Sequence, residues 1–132
     1  MAETAAGVRH PALISSCERL VTDARARVRE VSWEEVEECG PRCFLVDVRE
    51  PQEFAEATAP GAINVPRGLL EFTIDKHPQL QHLDEDGLLN SRLYLFCGTG
   101  GRSALAALAL EALGFKQVYS VRGGLKLRQA ES

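Results

Sequence analysis

The stretch LYLFCGTGGRSALAALALEAL, residues 93–113, decides the fold. LYLFC (93–97) is an unbroken apolar run of strand length, the pattern of a strand covered on both faces of a parallel sheet. SALAALALEAL (103–113) is apolar nearly all round, as a central buried helix should be, and Gly114 stops it at the C′ position. Cys97-Gly98-Thr99-Gly100-Gly101-Arg102-Ser103 joins the end of that strand to the start of that helix. Ligands of open parallel sheets bind beyond the carboxyl ends of the strands, so this turn is where chemistry is expected.

Working outward, CFLVDV (43–48) is a second apolar run with one aspartate, and EPQEFAEA after it reads as a short helix with Pro51 in its first turn. Upstream, Leu13, Cys17, Leu20, Val21, Ala24 and Val28 recur at three and four, predicting an amphipathic helix that packs through that face. Val28 to Val31 offers a short strand, and Ser32 with Glu35 forms a capping box for a helix over SWEEVEEC, ended by Gly40-Pro41. Glu34, Glu35, Glu37 and Glu38 read as its solvated face and Trp33 as core. Ile63-Asn64-Val65 is a strand cut off by Pro66, GLLEFTI a helix, and residues 76–91 a polar loop. QVYSV (117–121) is a last strand, and Gly123-Gly124 leads to a short helix. The alternation predicts an α/β domain over residues 28–132, an open, mainly parallel sheet with helices on both faces, preceded by the helix within residues 1–27.

The 132 residues carry 15 basic and 19 acidic side chains, a net charge of −4, and with 45% hydrophobic and 26% charged residues the composition excludes disorder and coiled coil. Charge is uneven: +1 over residues 1–30, −9 over 31–90 and +4 over 91–132. The acidic whole argues against nucleic acid as a partner, while the basic last third suits a small anion. No run of about 18 apolar residues and no basic-then-apolar start occur, so neither a membrane nor a secretory signal is expected. The expected location is the cytoplasm. Cys17, Cys39, Cys43 and Cys97 are then reduced thiols, and with His10, His77 and His82 scattered, neither a metal nor another cofactor is expected.

At the turn itself, Gly98, Gly100 and Gly101 let the backbone bend so that several N–H groups face one centre, and the following helix aims its positive end at the same spot. A thiol placed there, Cys97, is favoured as the thiolate, and Arg102 supplies a permanent positive charge. Thr99 either hydrogen-bonds a substrate oxygen or stabilises the turn, and Ser103 caps the loop or the helix start. Asp47 and Arg49, at the end of CFLVDV, read as a structural network with each other, Glu53 or the loop backbone, because a charge at a strand end is costly unless paired. Arg67, after Pro66, is a weaker candidate for the same mouth.

These residues resemble the single-domain rhodanese-like sulfurtransferases, whose active-site loop is Cys, four residues with a central Gly, then Arg, matched by Cys97, Gly100 and Arg102. FLVDVREPQEF (44–54), APGAINVPRGLLEF (59–72) and VRGG (121–124) are similar to three further blocks of that family, in the same order. The resemblance implies a rhodanese-like fold and a thiosulfate sulfurtransferase type of activity. Cys97 thiolate would take the sulfane sulfur of a small anionic donor such as thiosulfate, and its persulfide would pass that sulfur to cyanide, a thiol or a protein acceptor. A non-catalytic persulfide carrier in a sulfur relay needs the same thiol and is the alternative. Gly98 stands where many thiosulfate users have a basic residue, Arg128 where a tryptophan is common, and Glu56-Ala57-Thr58-Ala59 where Gly-His-Ile is common. Cysteine phosphatases place five residues between Cys and Arg; the four here suit one sulfur atom better than a phosphoryl group. A dinucleotide fingerprint needs Gly where Ser103 stands, and no GK[ST] exists.

Overall fold

The computed structural model describes residues 7–131; residues 1–6, part of the expected segment 1–27, lie outside it. Its five strands form one parallel sheet in the order β1 (Arg29–Val31), β5 (Gln117–Val121), β4 (Arg92–Phe96), β2 (Phe44–Asp47), β3 (Ile63–Asn64). The run at 93–97 is the central strand, with Leu95 in register between Val46 and Ser120.

Strand periodicity divides β4 between two cores. Leu93 and Leu95 join Ala24 of α1 (Pro11–Arg27), Val28 at its C-cap, and Ala104, Ala107 and Leu110 of α6 (Gly101–Ala112) on one face. Tyr94 and Phe96 join Trp33, Val36 and Cys39 of α2 (Trp33–Cys39) and Leu125 of α7 (Gly124–Ala130) on the other. Helices therefore cover both faces, as an all-parallel sheet requires. The remaining connections are α3 (Pro51–Glu56), α4 (Leu70–Thr73) between two 3₁₀ turns, and α5 (Glu85–Asn90).

Two expectations are corrected. The polar loop at 76–91 contains α5, six residues with a glycine inside, capped by Asp84, which accepts the Gly87 N–H at 2.7 Å. So short a helix shows no periodicity, and the cap was its only signal. The apolar face of α1 is only half used: Leu13 and Leu20 are 66% and 58% exposed and Cys17 is exposed as well. Val21 lies against Gly101, the first residue of α6, so the preceding turns of α1 run past the loop rather than along the sheet. The residues that do pack, Val21, Ala24 and the C-cap residue Val28, lie in its second half and at its end.

Candidate active site

Cys97 follows the last residue of β4, and its Sγ accepts hydrogen bonds from the Gly100 N–H at 3.1 Å and the Ser103 N–H at 3.3 Å. Gly100 reaches this arrangement at φ +111°, a left-handed conformation that glycine adopts without a Cβ clash. The loop is held from behind. The carbonyls of Cys97 and Gly98 accept the N–H groups of Leu125 at 2.8 Å and Lys126 at 3.0 Å, in the first turn of α7. Gly124 permits that approach, since a Cβ on it would lie 2.5 Å from the Cys97 oxygen and 2.6 Å from the Gly98 carbonyl. Its own carbonyl accepts the Trp33 indole N–H at 2.9 Å, which ties α2 to the same turn. With the carbonyls drawn towards α7, loop amides and the start of α6 turn to the sulfur, whose residue is only 1% exposed.

Two buried hydroxyls complete the cradle. Ser103, expected as a cap, lies 3.5 Å from Cys97 Sγ through Oγ, donates to the Gly100 carbonyl at 3.3 Å and meets Ser120 Oγ at 2.8 Å. Both serines are fully buried. Sequence reasoning missed Ser120; its one signal was a small polar residue between Tyr119 and Val121 in the strand QVYSV.

Arg102 is engaged by an acidic side chain from another helix. Its guanidinium makes two contacts with Glu53 of α3, at 2.8 and 3.2 Å. Those bonds, with the Glu50 N–H at 3.0 Å, pull the Glu53 carboxyl down to about 2. Glu53 in turn holds Arg102 more firmly protonated than an isolated arginine. Nothing in the sequence pattern assigned Glu53 to Arg102 specifically, because α3 meets α6 only in three dimensions.

Asp47 and Arg49 form the expected network, paired at 2.8 Å with Asp47 fully buried. Thr58 donates to Asp47 Oδ2 at 2.8 Å, and Arg49 also donates to the Ala57 carbonyl. Asn64 spans the carbonyls of Asp47 and Arg49 at 2.9 and 3.0 Å, so this cluster fixes the carboxyl end of β2 beside the loop. Arg67 hydrogen-bonds the Val48 carbonyl through its N–H at 2.9 Å, which places it at the same sheet edge, but its guanidinium pairs with Glu71 at 2.9 Å. Thr99 is exposed at the loop tip, and Gly98 is half-buried with a backbone that needs no positive φ.

The chain is similar in sequence and in fold to several known proteins. The chain is 31% identical over 104 residues to the adenylyltransferase and sulfurtransferase UBA4 of Candida albicans, a match covering 78% of this chain and 23% of that protein. It is 30% identical over 89 residues to the human thiosulfate:glutathione sulfurtransferase, covering 64% of this chain and 77% of that one. Several curated relatives are much longer than the matched region; this chain spans 39% of one from Bacillus subtilis. Among solved structures, a Rhodopseudomonas palustris protein of unknown function, described as a possible tyrosine phosphatase, superposes with TM-score 0.71 at 25% identity over 100% of this chain and 97% of that one. The model of the rhodanese-like domain matches residues 29–131, the sheet, the Cys97 loop and α7 included, and the chain belongs to the rhodanese-like domain family.

Proposed function

We propose that the protein transfers sulfane sulfur through a persulfide on Cys97. The thiolate attacks the outer sulfur of a donor such as thiosulfate, the S–S bond breaks, and sulfite leaves with the bonding pair. A nucleophile, a thiol or cyanide, then attacks the outer sulfur of the Cys97 persulfide and returns Cys97 as thiolate. The observation that carries the reading is the pair of amide bonds to Sγ at 3.1 and 3.3 Å in a loop of four residues between Cys97 and Arg102. Such a cradle offsets the charge of a sulfur anion, and its four intervening residues suit one added sulfur better than a phosphoryl group.

The persulfide-carrier reading has its own support in the Arg102–Glu53 pair. With Arg102 engaged and no side chain at Gly98, the loop offers little free positive charge to a small anionic donor, and a protein donor or acceptor has less need of it. Intact-mass measurement after incubation with thiosulfate, mercaptopyruvate or polysulfide, followed by peptide mapping, tests both. One added sulfur on Cys97, discharged by a thiol or cyanide, is expected. No sulfur on Cys97 from any donor overturns the function. Loading by polysulfide but not by thiosulfate selects the carrier.

A further inference from the structure

We propose that Ser120 is a positioning residue, which donates its hydroxyl proton to Ser103 Oγ and so leaves the single Ser103 proton free to stabilise the Cys97 thiolate. The inference rests on the sulfur-transfer reading only in that the thiolate is the reactive species.

Ser103 Oγ has three polar neighbours and one proton: Cys97 Sγ at 3.5 Å, the Gly100 carbonyl at 3.3 Å and Ser120 Oγ at 2.8 Å. The carbonyl can only accept. While Cys97 is a thiol, its S–H donates to Ser103 Oγ and the Ser103 proton goes to the carbonyl. When Cys97 becomes a thiolate it can only accept, so the Ser103 proton must swing to sulfur. Gly100 oxygen does not become an orphan, because it also accepts the Ala104 N–H at 3.2 Å. Both states then need Ser120 in the donor role. Were Ser103 to donate to Ser120 instead, sulfur would keep only its two amide bonds. Ser103 and Ser120 are fully buried, out of contact with bulk water, and a donated bond strengthens the acceptor hydroxyl as a donor in turn. The shortest of the three contacts is the one between the two serines.

The test compares wild type, Ser120→Ala, Ser120→Thr, Ser103→Ala and the double Ala variant, each with Cys97 intact and with Cys97→Ser. The thiolate ultraviolet absorbance at neutral pH is read as the difference within each pair. Ser120→Ala should lower the ratio of thiolate to thiol at Cys97 about threefold to tenfold, the span of one ordinary hydrogen bond. Ser120→Thr, which keeps the hydroxyl, should restore it. In the Ser103→Ala background, Ser120→Ala should add nothing, because its effect runs through Ser103. An unchanged or increased ratio in Ser120→Ala, or equal losses in both backgrounds, overturns the proposal. These readouts use no sulfur donor, so they stand or fall separately from sulfur transfer itself.

Discussion

Cys97 directly follows β4 and Cys43 directly precedes β2, two neighbouring parallel strands, so the two thiols sit at opposite ends of the same sheet. Cys97 Sγ receives N–H groups at 3.1 and 3.3 Å, whereas the Cys43 S–H points at the Gly40 carbonyl at 3.4 Å. Burial, first, and the neighbouring Cys39 thiol push Cys43 up to about 12, which keeps it protonated. Cys97 is buried and Cys43 half-buried, so burial by itself does not set the proposed nucleophile apart. The direction of the surrounding backbone dipoles differs between the two, and in a parallel sheet that direction follows from which end of the strand the residue occupies.

Removing each thiol in turn separates the two ends of the sheet. Cys97→Ser should reduce single-sulfur loading at least about 1,000-fold, while Cys43→Ser should leave it within about twofold. Both are read by intact mass, with Cys17→Ser as background so that the exposed thiol does not confuse the mapping. Comparable losses in the two variants would remove the distinction between the ends.

The next effect concerns how the amide cradle is kept in place. Gly124→Ala forces a Cβ against the Cys97 and Gly98 backbone at φ +62°, and the backbone strain alone costs about 1–3 kcal/mol. Chemical denaturation should show that loss together with reduced loading, because the shift needed to admit Cβ displaces the loop. Full loading in the folded variant would mean that α7 does not hold the cradle.

Adding charge at the carboxyl end sharpens the contrast further. Gly98→Arg meets little resistance: a Cβ there touches only Arg102 Nη2, at 3.4 Å, and φ is not positive. A charge-assisted bond to a sulfonate oxygen contributes roughly 1–3 kcal/mol when well oriented. The KM for thiosulfate should therefore fall about fivefold or more, with stability nearly unchanged. No change in KM would show that a charge at position 98 does not reach the bound donor.

The smallest effect is the acid release of that pair. The Glu53 carboxyl is lowered from an ordinary 4.5 to about 2, so its contribution to stability is fully present above about 4.5 and is lost as pH falls through 2. Both side chains are more than a third exposed, at 44% and 38%, so solvent screens the pair and the loss should stay below about 1 kcal/mol. Glu53→Gln should flatten the stability profile between pH 4.5 and 2 relative to wild type, by thermal unfolding across that range. An unaltered slope would assign the acid sensitivity to other carboxylates.

The sequence alone determined the central strand, the buried helix and the glycine turn between them. Periodicity and glycine placement are local properties, and they suffice to put Cys97 at the carboxyl end of a parallel sheet. It also exposed the Asp47–Arg49 network, since a buried charge next to a strand end needs a partner close by. What it left open is what depends on elements distant along the chain. Glu53 and Arg102 are 49 residues apart, Ser103 and Ser120 are 17 apart, and Gly124 meets the Cys97 carbonyl from another helix. The half-exposed face of α1 belongs to the same group, because periodicity says which residues share a stripe and not how far the helix overlaps its neighbour. Only the folded chain decides these contacts: hydrogen bonds and ion pairs act over a few ångströms, and the packing of α3, α7 and β5 around the loop is what brings those groups within reach.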